Sequence, residues 1–199
     1  MSCCYWAKFK KINGDTFRFD TRIYLDEIIC PSDDDICIGG VVGKNPGSAE
    51  PKDFNNCDLQ EINLDGDQLL PNVRKIIEKA YKYADKPIKA ISYVQVLNLM
   101  YITDKDLASA IRKNKNHDVT IICEKEKLHS PFLWYLWGND DNKLNSFKKR
   151  YSDIKSDKHF YFHTQNKRIV ESAPSLENSA RHTQELKHEL VVPYISNLL

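Results

Sequence analysis

No stretch of the 199-residue chain supplies the roughly 18 consecutive apolar residues that a membrane-spanning helix needs, and the mean hydropathy is −0.55. The first twelve residues hold Cys3, Cys4 and several aromatic and basic side chains but no apolar h-region, so a secretory leader is not expected. An excess of one charge is missing as well. There are 29 Lys+Arg against 28 Asp+Glu, formally +1, which argues against a uniformly basic, histone-like protein and against an acidic mimic of DNA. The six cysteines form no C-x-x-C pair, and the adjacent Cys3 and Cys4 cannot easily share one tetrahedral ion. Reduced thiols in a cytoplasmic protein are the expectation, with no metal and no cofactor. Internal repeats and low-complexity segments are also lacking.

What is present is ordinary globular composition, 41% hydrophobic and 29% charged, at a length that suits one domain over 1–199. Residues 1–35 read as a peripheral N-terminal extension, closing on five acids between Asp26 and Asp35 with no base, a solvated loop. Residues 36–42 are a short β-branched run, a buried strand entering the turn Gly43-Lys44-Asn45-Pro46-Gly47-Ser48. From Pro71 to about Ala84, Val73, Ile76, Ile77, Ala80, Tyr81 and Ala84 recur at helical spacing. Residues 88–99, 132–137 and 159–163 read as further strands. Thr103 or Asp104 can cap a short helix through Arg112, residues 143–154 read as a basic amphipathic helix, and 183–199 as a C-terminal helix interrupted by Pro193. Strands alternating with helices predict an α/β fold: a three-layer α/β/α sandwich around a central, mainly parallel four-stranded sheet. In such sheets ligands sit beyond the carboxyl ends of the strands, which puts Asn45, Asn98 and Gly138 on one edge.

Four features carry candidate chemistry. The Gly43–Ser48 turn is not a phosphate-binding P-loop, because the earlier glycine is missing and Asn45 stands where a Ser or Thr would hold magnesium. It can nevertheless aim backbone N–H groups and the Asn45 amide at a water or an anion. Asn98 lies in the apolar run Val96-Leu97-Asn98-Leu99-Met100, where a buried amide must be paired or functional. Trp134-Tyr135-Leu136-Trp137-Gly138-Asn139 precedes residues 141–168, where eight bases face three acids; Lys148, Lys149 and Arg150 are the densest part. The last is the polar loop Ala173-Pro174-Ser175-Leu176, followed by Arg181 and His182.

As a set, and in this order, these features resemble the uracil-DNA glycosylase superfamily. Gly43-Lys44-Asn45-Pro46-Gly47 is similar to the first motif of the mismatch-specific uracil/thymine branch, Gly-Ile-Asn-Pro-Gly. The strand ending at Asn98 looks like the base-reading strand, Leu136-Trp137-Gly138-Asn139-Asp140 resembles a Leu-Trp-Gly-Ser-His strand end, and Ala173-Pro174-Ser175-Leu176 with Arg181 looks like the second motif. The resemblance implies a monofunctional enzyme that flips out a pyrimidine and hydrolyses its N-glycosidic bond, leaving an abasic site. Asn45 would position the water, with Glu50 or Asp53 as a stronger base. Phe54 would stack on the base and Asn98 would read its edge, beside Gly43 and Lys44. Ser175 and the Lys44–Ser48 turn, with Gly47 and Ser48, would hold flanking phosphates, Leu176 would fill the space vacated by the base, and Pro174, Arg181, Lys148, Lys149 and Arg150 would also contact the DNA.

The motif mixture departs from every well-known branch. Asn45 replaces the water-activating Asp, and Ala173 stands where the second motif has its His. A modified or mismatched pyrimidine is therefore the expected substrate, in DNA repair or in defence against phage with modified DNA. DNA, duplex or single-stranded, is the expected partner of a monomeric chain that does not bind membranes. Two other readings are a non-enzymatic nucleic-acid-binding protein and an enzyme of free nucleosides or nucleotides.

Overall fold

Alternation of buried and exposed side chains begins at the third residue and builds far more sheet than the apolar runs alone announce. The computed structural model describes residues 3–51, 59–64, 66–117, 120–139 and 142–199. Among them the strands are β1 (Cys3–Ile12), β2 (Asp15–Ile28), β3 (Ile36–Gly43), β4 (Glu50–Pro51), β5 (Leu59–Asn63), β6 (Ser92–Asn98), β7 (Ser130–Tyr135), β8 (Ser156–His163) and β9 (Arg168–Val170). The α-helices are α1 (Leu69–Tyr83), α2 (Leu107–Lys115), α3 (Asn145–Lys148) and α4 (Val192–Ser196).

The strands form one mixed sheet in the order β4-β5-β1-β2-β6-β3-β7-β8-β9. This overturns the expected central, mainly parallel four-stranded sheet between helical layers. The sheet is mostly antiparallel: β1/β2, β1/β5, β2/β6, β4/β5 and β8/β9 pair that way, and only β3/β6, β3/β7 and β7/β8 are parallel. The physical reason lies in residues 1–35, which are not peripheral. They form a long hairpin whose second strand pairs with β6. Its charges hid it from a hydrophobicity reading, yet Arg18, Asp20 and Arg22 are all buried. Arg22 donates from Nε and Nη2 to Asp20 at 3.1 and 3.0 Å, and Nη2 also reaches Asp33 at 2.9 Å. Such pairing is what permits charge inside a sheet.

Helices are few and shorter than the sequence suggests. The longest is α1, which buries Leu70, Val73, Ile76, Ile77, Ala80 and Tyr81 against one sheet face, and α4 packs beside it. Each large aliphatic buried there contributes roughly 1.5–3 kcal/mol. The Asp67 carboxylate starts α1 by accepting from the Leu69 and Leu70 amides at 2.9 and 3.2 Å. The opposite face is covered by a second cluster that includes Phe17, Val42, Leu97, Tyr101, Ile111, Tyr135, Trp137, Phe147 and Tyr151.

The expected basic helix over 143–154 is instead a 3₁₀ turn, the single turn α3 and another 3₁₀ turn. Its inward residues Leu144, Phe147, Tyr151 and Ile154 are joined by Lys148, which is also buried. The C-terminal region, 183–199, is a 3₁₀ turn at His188–Leu190 and the short α4, which carries Pro193 in its first turn, where proline is tolerated. The acidic 26–35 segment lies beside the start of β3, at the opposite end of that strand from Gly43. There Asp35 accepts from the Tyr24 hydroxyl at 2.6 Å.

Candidate active site

Where β3 and β6 end side by side, Gly43 pairs with Asn98. The glycine is required by close approach. A Cβ on Gly43 would lie 2.9 Å from Asn98 Oδ1 and 3.3 Å from Leu69 Cδ2, so any side chain would displace one of them. Asn98 itself is buried, and neither Nδ2 nor Oδ1 has a hydrogen-bond partner. Leaving both ends of a buried amide unpaired costs on the order of 1–3 kcal/mol for each group. The main chain at the same residue is held firmly. Asn98 O accepts from Tyr151 Oη at 2.6 Å and from Arg150 Nη2 at 2.7 Å. Both donors also bond the buried Glu126 carboxylate, with Arg150 Nε at 2.9 Å and Tyr151 Oη at 3.1 Å, and Tyr101 Oη joins them at 2.6 Å. Burial lifts the Tyr101 and Tyr151 hydroxyls well above their ordinary range, which keeps them as donors.

Beyond Gly43 the chain opens into a cleft of about 680 Å³. Residues 44–49 form one wall, and 66–69, at the start of α1, form another. The remainder comes from Arg18, Lys105, 137–139 and residues 181, 182, 184 and 185. Asn45 is half-buried in the wall and its Nδ2 donates to Asp104 O at 2.6 Å, which fixes the amide and leaves Oδ1 as its acceptor. Asp104 is itself anchored: although burial opposes it, hydrogen bonding from Lys113 and the Asp106 amide holds its carboxyl down at about 2.

Gly138 adopts φ +83, a left-handed conformation that suits glycine, and bridges Ala180 with reciprocal hydrogen bonds of 2.6 and 2.9 Å. That bridge brings His182 into the cleft. His182 Nδ1 accepts from the Gln184 amide at 3.1 Å, so the neutral ring carries its proton on Nε2. Burial first, then the cations of Lys44 and Arg181, push His182 below the ordinary imidazole range, against the pull of Asp67.

Several expected site residues stand elsewhere. Asn45, Lys44, Gly47, Ser48 and Arg181 line the cleft, but Asn98 lies one layer beneath it, next to Gly43 and Leu69. Glu50 is exposed on β4, opposite Asn63, and does not line the cleft. Asp53 and Phe54 lie outside the described residues. Pro174, Ser175 and Leu176 border a separate hollow of about 230 Å³ with Tyr135, Trp137, Lys148 and Lys149. Leu176 is half-buried and its carbonyl accepts from Lys148 Nζ at 2.7 Å. The expected grip of Lys148 and Arg150 on a strand is therefore corrected. Both side chains turn inward, one to brace the 173–176 loop and the other to neutralise Glu126, and only Lys149 of the three is exposed.

Arg18 and Asp67 had no place in the sequence reading, and His182 entered it only as the end of the fourth feature, with no role. Arg18 is 1% exposed and its Nη1 stands 3.6 Å from Asp67 Oδ2. Its signal was an arginine between two aromatics, Phe17 and Phe19, in an alternating segment. For Asp67 it was an acidic residue just ahead of the apolar face of α1, whose N-cap is Gln68. For His182 it was direct adjacency to Arg181. Among the described residues no cluster of His, Cys, Asp and Glu could hold a metal ion. No protein-family model, no curated protein and no solved structure matches the chain.

Proposed function

We propose that the protein is a DNA glycosylase that excises a modified or mismatched pyrimidine by hydrolysis of its N-glycosidic bond. The observation that carries this reading is Asn98: a buried carboxamide with donor and acceptor both unpaired, on a main chain locked by Arg150 and Tyr151, at the strand edge beside the Gly43–Ser48 turn. A base edge presents a complementary donor and acceptor, and a good bidentate pair is worth about 1–3 kcal/mol of discrimination. To reach it, a flipped base must enter past Lys44 and displace Leu69.

The chemistry then falls to preorganised dipoles. Asn45, tied to Asp104 O, offers Oδ1 to orient a water; it has no proton to take up, so it positions rather than activates. Neutral His182 offers Nε2–H to charge developing on the departing base, a role for which its low pKa fits it. This replaces the expected second-motif arrangement, in which Ala173 left that position without a donor. Asp67 is one of two carboxylates that line the cleft among the described residues, with Glu185, and its place at the start of α1 makes it a better candidate to polarise water than Glu50.

A second reading, an enzyme of free nucleotides, draws on the inward turn of Lys148 and Arg150. That turn removes two cations from the surface expected to grip a strand and leaves Arg18, Lys44, Lys105 and Arg181 gathered at the cleft. The deciding experiment incubates the protein with DNAs carrying uracil, thymine mismatches or modified cytosines and scores alkali-labile sites. Strand scission at one class of base supports the glycosylase. No scission, with turnover of free nucleotides instead, supports the second reading.

A further inference from the structure

Arg18 has no structural employment equal to its cost. It is a fully buried guanidinium whose Nε and Nη1 lack any hydrogen-bond partner, and its ion pair with Asp67 is long at 3.6 Å. Burying unpaired donors of a charged group is expensive, and an apolar side chain of the same volume is often the more stable choice. Asp67 does not need the pair, since its carboxylate already accepts from the Leu69 and Leu70 amides. The antiparallel register explains how Arg18 comes to the cleft. Thr21 stands opposite Val96, so the residues just before Thr21 project beyond the carboxyl end of β6, where the cleft lies. Around it are the N-terminal turn of the 15-residue α1, Lys44 half-buried in the wall, and Lys105 and Arg181 at the rim. Among the described residues the opposing carboxylates at the cleft are Asp67 and Glu185, and Glu185 stands 3.6 Å from Arg181. The first-turn amides of α1 are taken by Asp67, so what makes a site for an oxyanion is the buried guanidinium with its unpartnered donors, at a cleft that Lys44 also lines.

We infer that Arg18, which lines the cleft, binds a phosphate group of the substrate, with Lys44 lining the same cleft. This deepens the proposed function by naming what holds the nucleotide, but it stands or falls separately from base excision. Two sources share the chemistry: a phosphodiester of a nucleic acid and the phosphomonoester of a free nucleotide. Either would give the guanidinium the charge-assisted hydrogen bonds that the protein withholds.

Calorimetric titration of the whole chain with inorganic phosphate, deoxyuridine, deoxyuridine 5′-monophosphate and a single-stranded oligodeoxynucleotide tests it. The phosphate-bearing ligands are expected to bind and the bare nucleoside to bind at least about tenfold more weakly. Tighter binding of the oligonucleotide assigns the diester as the source, and tighter binding of the monophosphate assigns the free nucleotide. Arg18→Met is expected to lose about ten- to hundredfold in phosphate affinity while its melting temperature stays level or rises. Asp67→Asn keeps the acceptor for the α1 amides and removes the opposing charge, so phosphate should bind more tightly.

Equal affinity for nucleoside and nucleotide, retained phosphate affinity in Arg18→Met, a lower melting temperature in that variant, or weaker binding in Asp67→Asn would each overturn the inference. Base release by the wild type, scored separately on DNA, bears on the proposed reaction alone. Phosphate affinity without base release would leave Arg18 its role and remove the glycosylase.

Discussion

Asn98 and His182 are held in states that cost the folded protein something, and each cost makes a measurable statement. The Asn98 amide is buried and unpaired, so Asn98→Leu, which has the same branching and number of side-chain heavy atoms, should raise stability by about 1–3 kcal/mol in urea unfolding. The same variant should lose discrimination between pyrimidines. A destabilised Asn98→Leu would mean that the amide is satisfied in solution and is not waiting for a ligand. His182 is harder to protonate folded than unfolded, because burial, Lys44 and Arg181 oppose its charge. As the pH falls through the ordinary imidazole value of about 6.5, the unfolded chain takes up its proton first, and stability drops until the depressed folded value is passed. His159 and His188 are shifted in the same direction and add to the slope. Melting temperatures between neutral pH and about pH 5 should therefore fall on acidification, and His182→Asn should make the fall shallower.

At the scale of elements, the strands expected over 36–42, 88–99, 132–137 and 159–163 are present as β3, β6, β7 and β8, with ends shifted by a few residues. The helix expected from Pro71 is α1, extended to begin at Leu69. These were legible because apolar periodicity survives in them uninterrupted. The β1–β2 hairpin was not, since its inward positions include Arg18, Asp20 and Arg22, whose partners come from distant segments that composition cannot supply. Residues 142–152 misled in the opposite way. A run of bases reads as a solvated face, yet Lys148 and Arg150 are each drawn inward by an acceptor over 20 residues away, the Leu176 carbonyl and Glu126. Removing Arg150 leaves Glu126 buried and uncompensated, so Arg150→Ala should cost about 3–5 kcal/mol. Lys149→Ala at the exposed neighbour should change stability by less than about 0.5 kcal/mol. Equal effects in chemical denaturation would return Arg150 to the surface role that the sequence suggested.

For the whole molecule, near-neutral net charge conceals a separation between an acidic loop at one end of β3 and a cationic cleft at the other. The candidate site was legible in part. Of the three residues that the strand-end rule put on one edge, Asn45 and Gly138 line the cleft and Asn98 lies in the layer beneath. Arg18 was not foreseen and His182 was given no role, because an antiparallel partner strand and the Gly138–Ala180 bridge bring them there. If nucleic acid is held through the four cations that line the cleft, Arg18, Lys44, Lys105 and Arg181, few phosphates are contacted and the salt slope should be shallow.

Base excision at this edge of the sheet, as proposed, requires Asn45 to orient the water. Mass-spectrometric detection of the free base released from modified-pyrimidine DNA, by the wild type and by Asn45→Ala under single-turnover conditions, tests it most directly. The expected result is release by the wild type and a loss of about a hundredfold or more in Asn45→Ala, with DNA affinity little changed. Release at the same rate by both proteins, or by neither, would contradict it.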